Sequence, residues 1–161
     1  MTRRPPPSAT DSPARQLTAF LSRFDPEIAA LARSCRARMR KRLPTANELV
    51  YDNYNALVLG YCSSERPSDA IVSLPITARG VSLCFIHGAK LPDPQAILQG
   101  SGNQTRFVRL ASPKDLARPE IEALLCAAIA RAKTPLPATG RGRLIIQSVW
   151  ARQRPRRRAA K

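Results

Sequence analysis

Short β-rich runs separated by turn residues fill the middle of this 161-residue chain and constrain its fold more than any other feature. In the run at 80–87, apolar Val81, Leu83 and Phe85 alternate with other residues, which is the period of a strand with one buried face. The short spacing between this run and the one before it favours an antiparallel hairpin. The predicted strands lie at 55–62, 70–76, 80–87, 105–110 and 144–149.

Helices are predicted on both sides of these runs, and several of them begin at a proline. Asp25 before Pro26 favours a helix start, since the carboxylate can accept hydrogen bonds from the first free N–H groups and proline suits the first helical position. This helix is predicted to end at Leu43, before Pro44. Further helices are predicted around 17–24, at 94–100 and from 119 to about 129. The last of them has the clearest apolar stripe, formed by Ile121, Leu124, Leu125, Ala128 and Ile129.

The order of these elements points to an α+β fold. Strands follow one another in the middle of the chain, helices lie towards its ends, and regular strand–helix–strand alternation is lacking. We therefore predict a mainly antiparallel sheet of about five strands packed with N-terminal and C-terminal helices. One domain is predicted at 13–150, preceded by a disordered proline-rich segment at 1–12 and followed by a basic tail at 151–161.

Positive charge is concentrated at the two ends of the chain. The first 42 residues have ten basic and three acidic side chains, the last 28 have eight basic and no acidic ones, and the middle is close to neutral. Arginine clusters bind phosphate well but carry no base information, so nucleic acid or another polyanion is a candidate non-specific partner. A solubilising basic surface is the alternative. The residues assigned to phosphate contact are Arg36, Arg40, Arg152, Arg154, Arg156, Arg157 and Arg158.

Several classes of protein are disfavoured by composition. No apolar run approaches the ~18 residues of a membrane span, and the N-terminus lacks the apolar core of a secretory signal. The four cysteines are far apart, and there is one histidine, which argues against a local zinc site and favours buried free thiols in a reducing cytoplasm. We predict a cytoplasmic protein without membrane contact, metal or cofactor. Because no nucleophile–base pair can be recognised, it is predicted not to be an enzyme.

Polar residues in the loops form a candidate ligand-binding set. His87 closes a strand and would need a nearby carboxylate to act as a base. The turn containing Gly100 and Gly102 could present N–H groups to an anion, although it lacks the P-loop pattern. Each of these residues also has a purely structural interpretation, such as a hydrogen-bonded histidine or a helix C-cap. The candidate ligand-binding residues are Asp52, Tyr54, Arg66, Asp69, His87, Asp93, Gly100 and Gly102.

Three strings of residues indicate a family. The segments 51–57 (Tyr-Asp-Asn-Tyr-Asn-Ala-Leu), 65–71 (Glu-Arg-Pro-Ser-Asp-Ala-Ile) and 87–102, which begins His-Gly-Ala-Lys-Leu-Pro-Asp-Pro, resemble the bacterial YdhG-like family of unknown function. The resemblance covers about 43–132 and implies a small cytoplasmic α+β domain. Some members have been proposed as frataxin-like iron chaperones. This chain departs from that role, since its eleven acidic residues are scattered within a net charge of +16.

The sequence thus predicts a small, non-enzymatic binding domain and leaves two more specific functions open. The first is an accessory role on nucleic acid, which depends on the basic ends. The second is binding of a small molecule or iron by the loops near Asp69, His87 and Gly100. This second function requires the three loops to converge on one concave pocket.

Overall fold

The computed structural model describes residue 8 and residues 10–159, which form three α-helices, one sheet and three short 3₁₀ turns. The helices are α1 (Pro13–Leu21), α2 (Pro26–Arg42) and α3 (Pro119–Ala130). The strands are β1 (Asn47–Asp52), β2 (Leu57–Cys62), β3 (Ala70–Thr77), β4 (Gly80–Phe85), β5 (Arg106–Leu110) and β6 (Leu144–Val149). The prediction of a disordered segment at 1–12 falls mostly on residues outside the described part of the chain.

The sheet is mixed, with the strand order β5-β4-β3-β2-β1-β6. The first five strands form an antiparallel meander, and β6 returns to pair with β1 in parallel. The α+β class is confirmed, but the sheet has six strands and the prediction missed β1. Its alternation was hidden because the face of β1 that turns inwards carries Glu48 and Asp52 on either side of Val50, and both carboxylates are buried. A pattern of apolar residues alone does not detect such a strand.

One face of the sheet packs against the helices and forms the core. Alternate residues of the central strands share this face, including Leu59, Leu74 and Leu83, which are fully buried. The helices cover it in different places: α1 contacts β6, α2 contacts β3 and β4, and α3 contacts β3. The helix starts at Pro26 and Pro119 are confirmed.

The helix predicted at 94–100 is wrong. The carboxylate of Asp93 accepts hydrogen bonds from the backbone N–H groups of Ile97 (3.0 Å) and Leu98 (2.9 Å), which closes a turn. Ala96 lies in the left-handed region with a φ of 52°, which a helix does not contain. The chain then extends, and Gln99 pairs with Phe107 of β5. Aspartate favours turns as well as helix starts because its side chain accepts hydrogen bonds from nearby backbone N–H groups.

Cysteine burial was predicted correctly at three of the four positions. Cys35, Cys62 and Cys84 are buried free thiols, and burial raises the pKa of both Cys35 and Cys62 to about 11. Cys126 is exposed, because it lies on the outer side of α3 beside Glu122. The apolar neighbours of Cys126 in sequence therefore did not indicate burial.

Truncating Leu125 to alanine is expected to lower the free energy of unfolding by about 2–5 kcal/mol. Leu125 is only 1% exposed and lies in the core, so the truncation leaves a cavity. The neighbouring exposed Cys126 offers a control, since Cys126→Ala should change stability by less than about 0.5 kcal/mol. Urea denaturation of the two variants measures the difference. Equal stability of Leu125→Ala and the native chain would show that α3 does not cover the core.

Candidate functional site

A cavity of about 510 Å³ opens at the end of the sheet where β2 and β4 finish, β3 starts and α3 ends. Part of its wall is apolar and consists of buried Ile71, Phe85 and Leu91 with the smaller Ala70, Ala128 and Ala132. The polar lining comes from four separate segments and consists of Ser63, Ser68, Asp69, His87, Lys90, Gln104, Arg131, Lys133 and Thr134. An apolar wall with a few polar groups is the usual composition of a small-molecule site.

The turn that carries His87 and Lys90 depends on a glycine. Gly88 is buried against β5, and a Cβ at this position would lie 2.6 Å from the Cβ of Arg106. Only glycine therefore allows the 3₁₀ turn Gly88–Lys90 to approach β5 this closely. The backbone N–H of Ala89 also donates to the carbonyl of Gln104 at 2.8 Å. This contact joins the turn to the loop that precedes β5, so that both segments reach the cavity.

Asp69 holds two walls of the cavity together. One oxygen of its carboxylate accepts hydrogen bonds from the hydroxyl of Ser64 (2.5 Å) and from Nε of Arg66 (3.4 Å). Its other oxygen accepts from the hydroxyl of Thr134 at 3.2 Å. The hydrogen bond from Ser64, followed by the charge of Arg66, holds the pKa of Asp69 below its usual value. The carboxylate is thus ionised, and both of its oxygens accept hydrogen bonds from the protein. It joins the loop before β3 to the chain that follows α3.

His87 is exposed at the cavity and lies in the same lining as Asp69. Within the described part of the chain, no hydrogen bond links its ring to the carboxylate of Asp69, whose partners are Ser64, Arg66 and Thr134. A histidine that acts as a general base is normally oriented by such a bond. The arrangement of these two side chains can bind polar groups of a ligand, but it does not form an acid–base dyad.

Ser63 contributes the most unusual polar group of the cavity. The residue is 6% exposed, and its hydroxyl has no hydrogen-bond partner among the described residues. Buried hydroxyl groups are nearly always paired, and an unpaired one costs about 1–3 kcal/mol. The residue follows the last position of β2, and its backbone N–H donates to the carbonyl of Asp69 at 3.4 Å. A polar ligand atom is one way to supply the missing partner.

Sequence reasoning identified two of the residues at this cavity, Asp69 and His87, and missed most of the others. No sequence motif marks Ser63, Lys90 or Thr134. Each of them lies at or after the end of a helix, strand or turn, where polar residues are common. The Gly100 loop reaches the cavity through Gln104 and not through its glycines. Gly100 adopts a φ of 116° that a turn requires.

The remaining predicted ligand-binding residues lie elsewhere. Asp52 pairs with Leu57 at the start of β2, whereas Ser63 follows the end of that strand, so Asp52 lies at the opposite end of the sheet from the cavity. Tyr54 is near Asp52, and the guanidinium of Arg154 lies 5.7 Å from the centre of its ring. Asp93 closes its own turn, as described above, and Arg66 approaches the cavity only through Asp69.

The arginines assigned to phosphate are partly engaged within the protein. Arg36 and Arg40 of α2 bind the carboxylate of Glu48 at 2.8 and 2.9 Å. The guanidinium of Arg156, assigned to phosphate from the sequence, is instead buried and binds the carboxylate of Asp52 at 2.9 Å. Arg157 and Arg158 are exposed but donate to backbone carbonyls of the folded body. Arg36, Arg40 and Arg156 bind Glu48 and Asp52 for the same physical reason, because a buried carboxylate needs cationic partners.

The chain matches no protein-family model, no curated protein and no solved structure. The resemblance to the YdhG-like family, which rests on short strings of residues, stays a prediction.

Two further properties concern the described residues only. No three side chains of His, Cys, Asp or Glu among them are grouped so that they could hold a metal ion. None of the helices in this part of the chain combines the length and the apolar character needed to cross a bilayer.

Proposed function

We propose that this protein is a small-molecule-binding domain and that the cavity between the end of the sheet and the end of α3 is its binding site. The observation that carries the proposal is the convergence of Asp69 and His87, from separate loops, on one cavity. Ser63 also lines this cavity, and its buried hydroxyl has no hydrogen-bond partner in the part of the chain that the structure describes. The volume of about 510 Å³ is typical of ligand pockets, which span roughly 300–1,000 Å³.

Binding without chemical conversion is the activity that this geometry supports best. The one lining carboxylate, Asp69, is occupied by Ser64, Arg66 and Thr134. Its lowered pKa keeps it ionised, so it is poorly suited to deliver a proton near neutral pH. The proposal therefore describes a non-enzymatic binding protein, in agreement with the expectation from the sequence.

The two other candidate functions have less support from the geometry. A role on nucleic acid would rest on the exposed cations of α2 and the C-terminal segment, while Arg36, Arg40 and Arg156 are already paired with carboxylates. An iron-binding role would need several carboxylates within reach of one ion. Of the carboxylates in the described part of the chain, only that of Asp69 lines the cavity.

Filling the cavity is expected to weaken ligand binding at least about tenfold without unfolding the protein. Ala128 lines the cavity from α3, and a phenylalanine there would occupy space that a ligand needs. Ala130 is exposed on the same helix and does not line the cavity, so Ala130→Phe is the matched control. We expect a screen of small fragments by ligand-observed NMR to find compounds that bind the native chain and Ala130→Phe, with at least about tenfold weaker binding to Ala128→Phe.

Melting temperatures of both variants establish that they are folded. The proposal would be abandoned if no fragment bound the native chain at millimolar concentration, or if the compounds that do bind were held equally well by folded Ala128→Phe.

A further inference from the structure

We infer that the ligand of this cavity is a small organic anion, a carboxylate attached to a compact apolar group. This inference rests on the proposed function and concerns the chemical class of the ligand. Three independent features of the cavity support it: the sign of its charge, its apolar wall and the unpaired hydroxyl of Ser63.

The charge of the lining is positive. Lys90, Arg131 and Lys133 line the cavity, and none of them forms an ion pair with a described residue. Among the described residues, Asp69 is the only acidic one in the lining, and it is already paired with Arg66. Three cations that form no ion pair with a described residue therefore line the cavity together with one carboxylate that is already paired. An anion entering the cavity gains attraction from all three, whereas a cation would be repelled.

The end of α3 also lies at the cavity, and the free carbonyls of a helix C-terminus attract cations. Here the last turn is closed, since the N–H of Arg131 donates to the carbonyls of Ala127 and Ala128, and the N–H of Ala132 donates to that of Ile129. These bonds satisfy part of the helix end. The three full positive charges at the lining outweigh the remaining partial charge, which is about half an elementary charge.

The apolar part of the lining indicates that the anion carries an organic group. Ile71, Phe85 and Leu91 are each at least nine-tenths buried and form part of the lining. A hydrated inorganic ion would gain nothing from this surface, whereas an apolar group is removed from water against it. The ligand consequently combines an anionic group near the exposed Lys90, Arg131 and Lys133 with an apolar body near these three side chains.

Ser63 has a hydroxyl group that no described residue pairs by a hydrogen bond. Its hydroxyl oxygen has almost no accessible surface and no partner among the described residues, so a ligand oxygen bonds to it once the side chain rotates towards the cavity, and this bond removes an existing penalty. This leads to an unusual pair of expectations. Ser63→Ala should leave the free protein equally stable or more stable, and it should weaken ligand binding.

The experiment uses benzoate, 2-naphthoate and hexanoate, each compared with the amide and the amine of the same carbon skeleton. Inorganic phosphate is included as an anion without an apolar body. Affinities are measured by ligand-observed NMR and by calorimetry on the full chain at low salt. We expect the best carboxylate to bind at least about tenfold more tightly than its amide, and its amine and inorganic phosphate to bind more weakly still.

Two variants, each with a control variant, assign the effect to the cavity. Arg131→Met is expected to weaken carboxylate binding about tenfold with little effect on the amide, whereas Lys114→Met, at an exposed lysine outside the cavity, should change neither. Ser63→Ala is expected to weaken carboxylate binding about threefold to tenfold. Ser73→Ala is the matched control, because Ser73 is a buried serine that pairs with Cys84 across β3 and β4 and lies outside the lining, so its replacement should leave the affinity unchanged.

The outcomes separate the two proposals. If neither these compounds nor any fragment of the screen binds the native chain, the proposed function is rejected and the inference with it. If fragments bind and none of the carboxylates does, the inference alone is rejected. If amides or amines bind as tightly as the carboxylates, and Ala128→Phe weakens them, the cavity binds small molecules but the inference of an anion is wrong. If Ser63→Ala lowers the melting temperature and leaves carboxylate affinity unchanged, the hydroxyl has a structural role and takes no part in binding.

Discussion

Replacing Glu48 by glutamine is expected to lower the free energy of unfolding by about 3–5 kcal/mol, because it breaks a buried ion pair and leaves cations without their partner. The carboxylate of Glu48 is 1% exposed and accepts hydrogen bonds from Arg36, Arg40 and the hydroxyl of Tyr61. Tyr61 is itself buried in the core, where burial and the nearby carboxylate raise its pKa well above the usual value. The single substitution therefore disturbs α2, β1 and β2 together.

Glu65→Gln is the matched control for this variant. Glu65 also binds an arginine, Arg143, at 2.5 Å, but both side chains are more than half exposed. Exposed pairs of this kind contribute about 0–1 kcal/mol. Urea denaturation at neutral pH compares the two glutamine variants with the native chain. Similar small losses for both would mean that the Glu48 network is hydrated and contributes no more than a surface pair.

Replacing Arg156 by methionine is expected to destabilise the protein by about 3 kcal/mol, at the lower end of the range for a broken buried ion pair. The side chain of Arg156 is 5% exposed and that of its partner Asp52 is 1% exposed. Two details reduce the loss. Arg23 still binds Asp52 at 3.3 Å, and the Nε of Arg156 has no partner among the described residues, so the methionine removes an existing penalty.

The same substitution at Arg152 gives the control, since this arginine is exposed in the same C-terminal segment. Arg152→Met should change stability by less than about 0.5 kcal/mol. Deletion of residues 152–161 should destabilise the protein as much as Arg156→Met or more, because it removes the same ion pair. The sequence had suggested a basic tail separate from the domain. If deletion left the unfolding curve unchanged, that suggestion would be correct and the contact with Asp52 would contribute nothing to stability.

Local signals were enough to predict most elements of the fold. The apolar period at β4 and the proline starts of α2 and α3 are properties of neighbouring residues, so they can be seen without a structure. These local signals fail where a buried charged side chain is paired with a residue on another element. β1 was missed because Glu48 and Asp52 occupy buried positions, and they are tolerated there only because α2 and the C-terminal segment bring arginines to them. Arg156 lies 104 residues from Asp52, and although Arg36 and Arg40 lie 12 and 8 residues from Glu48, no local pattern shows that α2 turns them towards it.

The α+β class, the choice of Asp69 and His87 as candidate site residues, and the excess of positive charge all follow from the sequence alone. Which of these charges are accessible, and which polar groups come together, depends on how the chain packs. Packing of α2 and of the C-terminal segment against the sheet places cations on Glu48 and Asp52. Arg156 is buried by this contact, whereas Arg36 and Arg40 stay 28% and 34% exposed with their charges already paired. The antiparallel order of β2, β3 and β4 brings Ser63, Asp69 and His87 to one end of the sheet, and α3 then adds Arg131 and Lys133. The physical reason is that burial and charge pairing depend on residues distant in the chain, whereas a sequence pattern records only its neighbours.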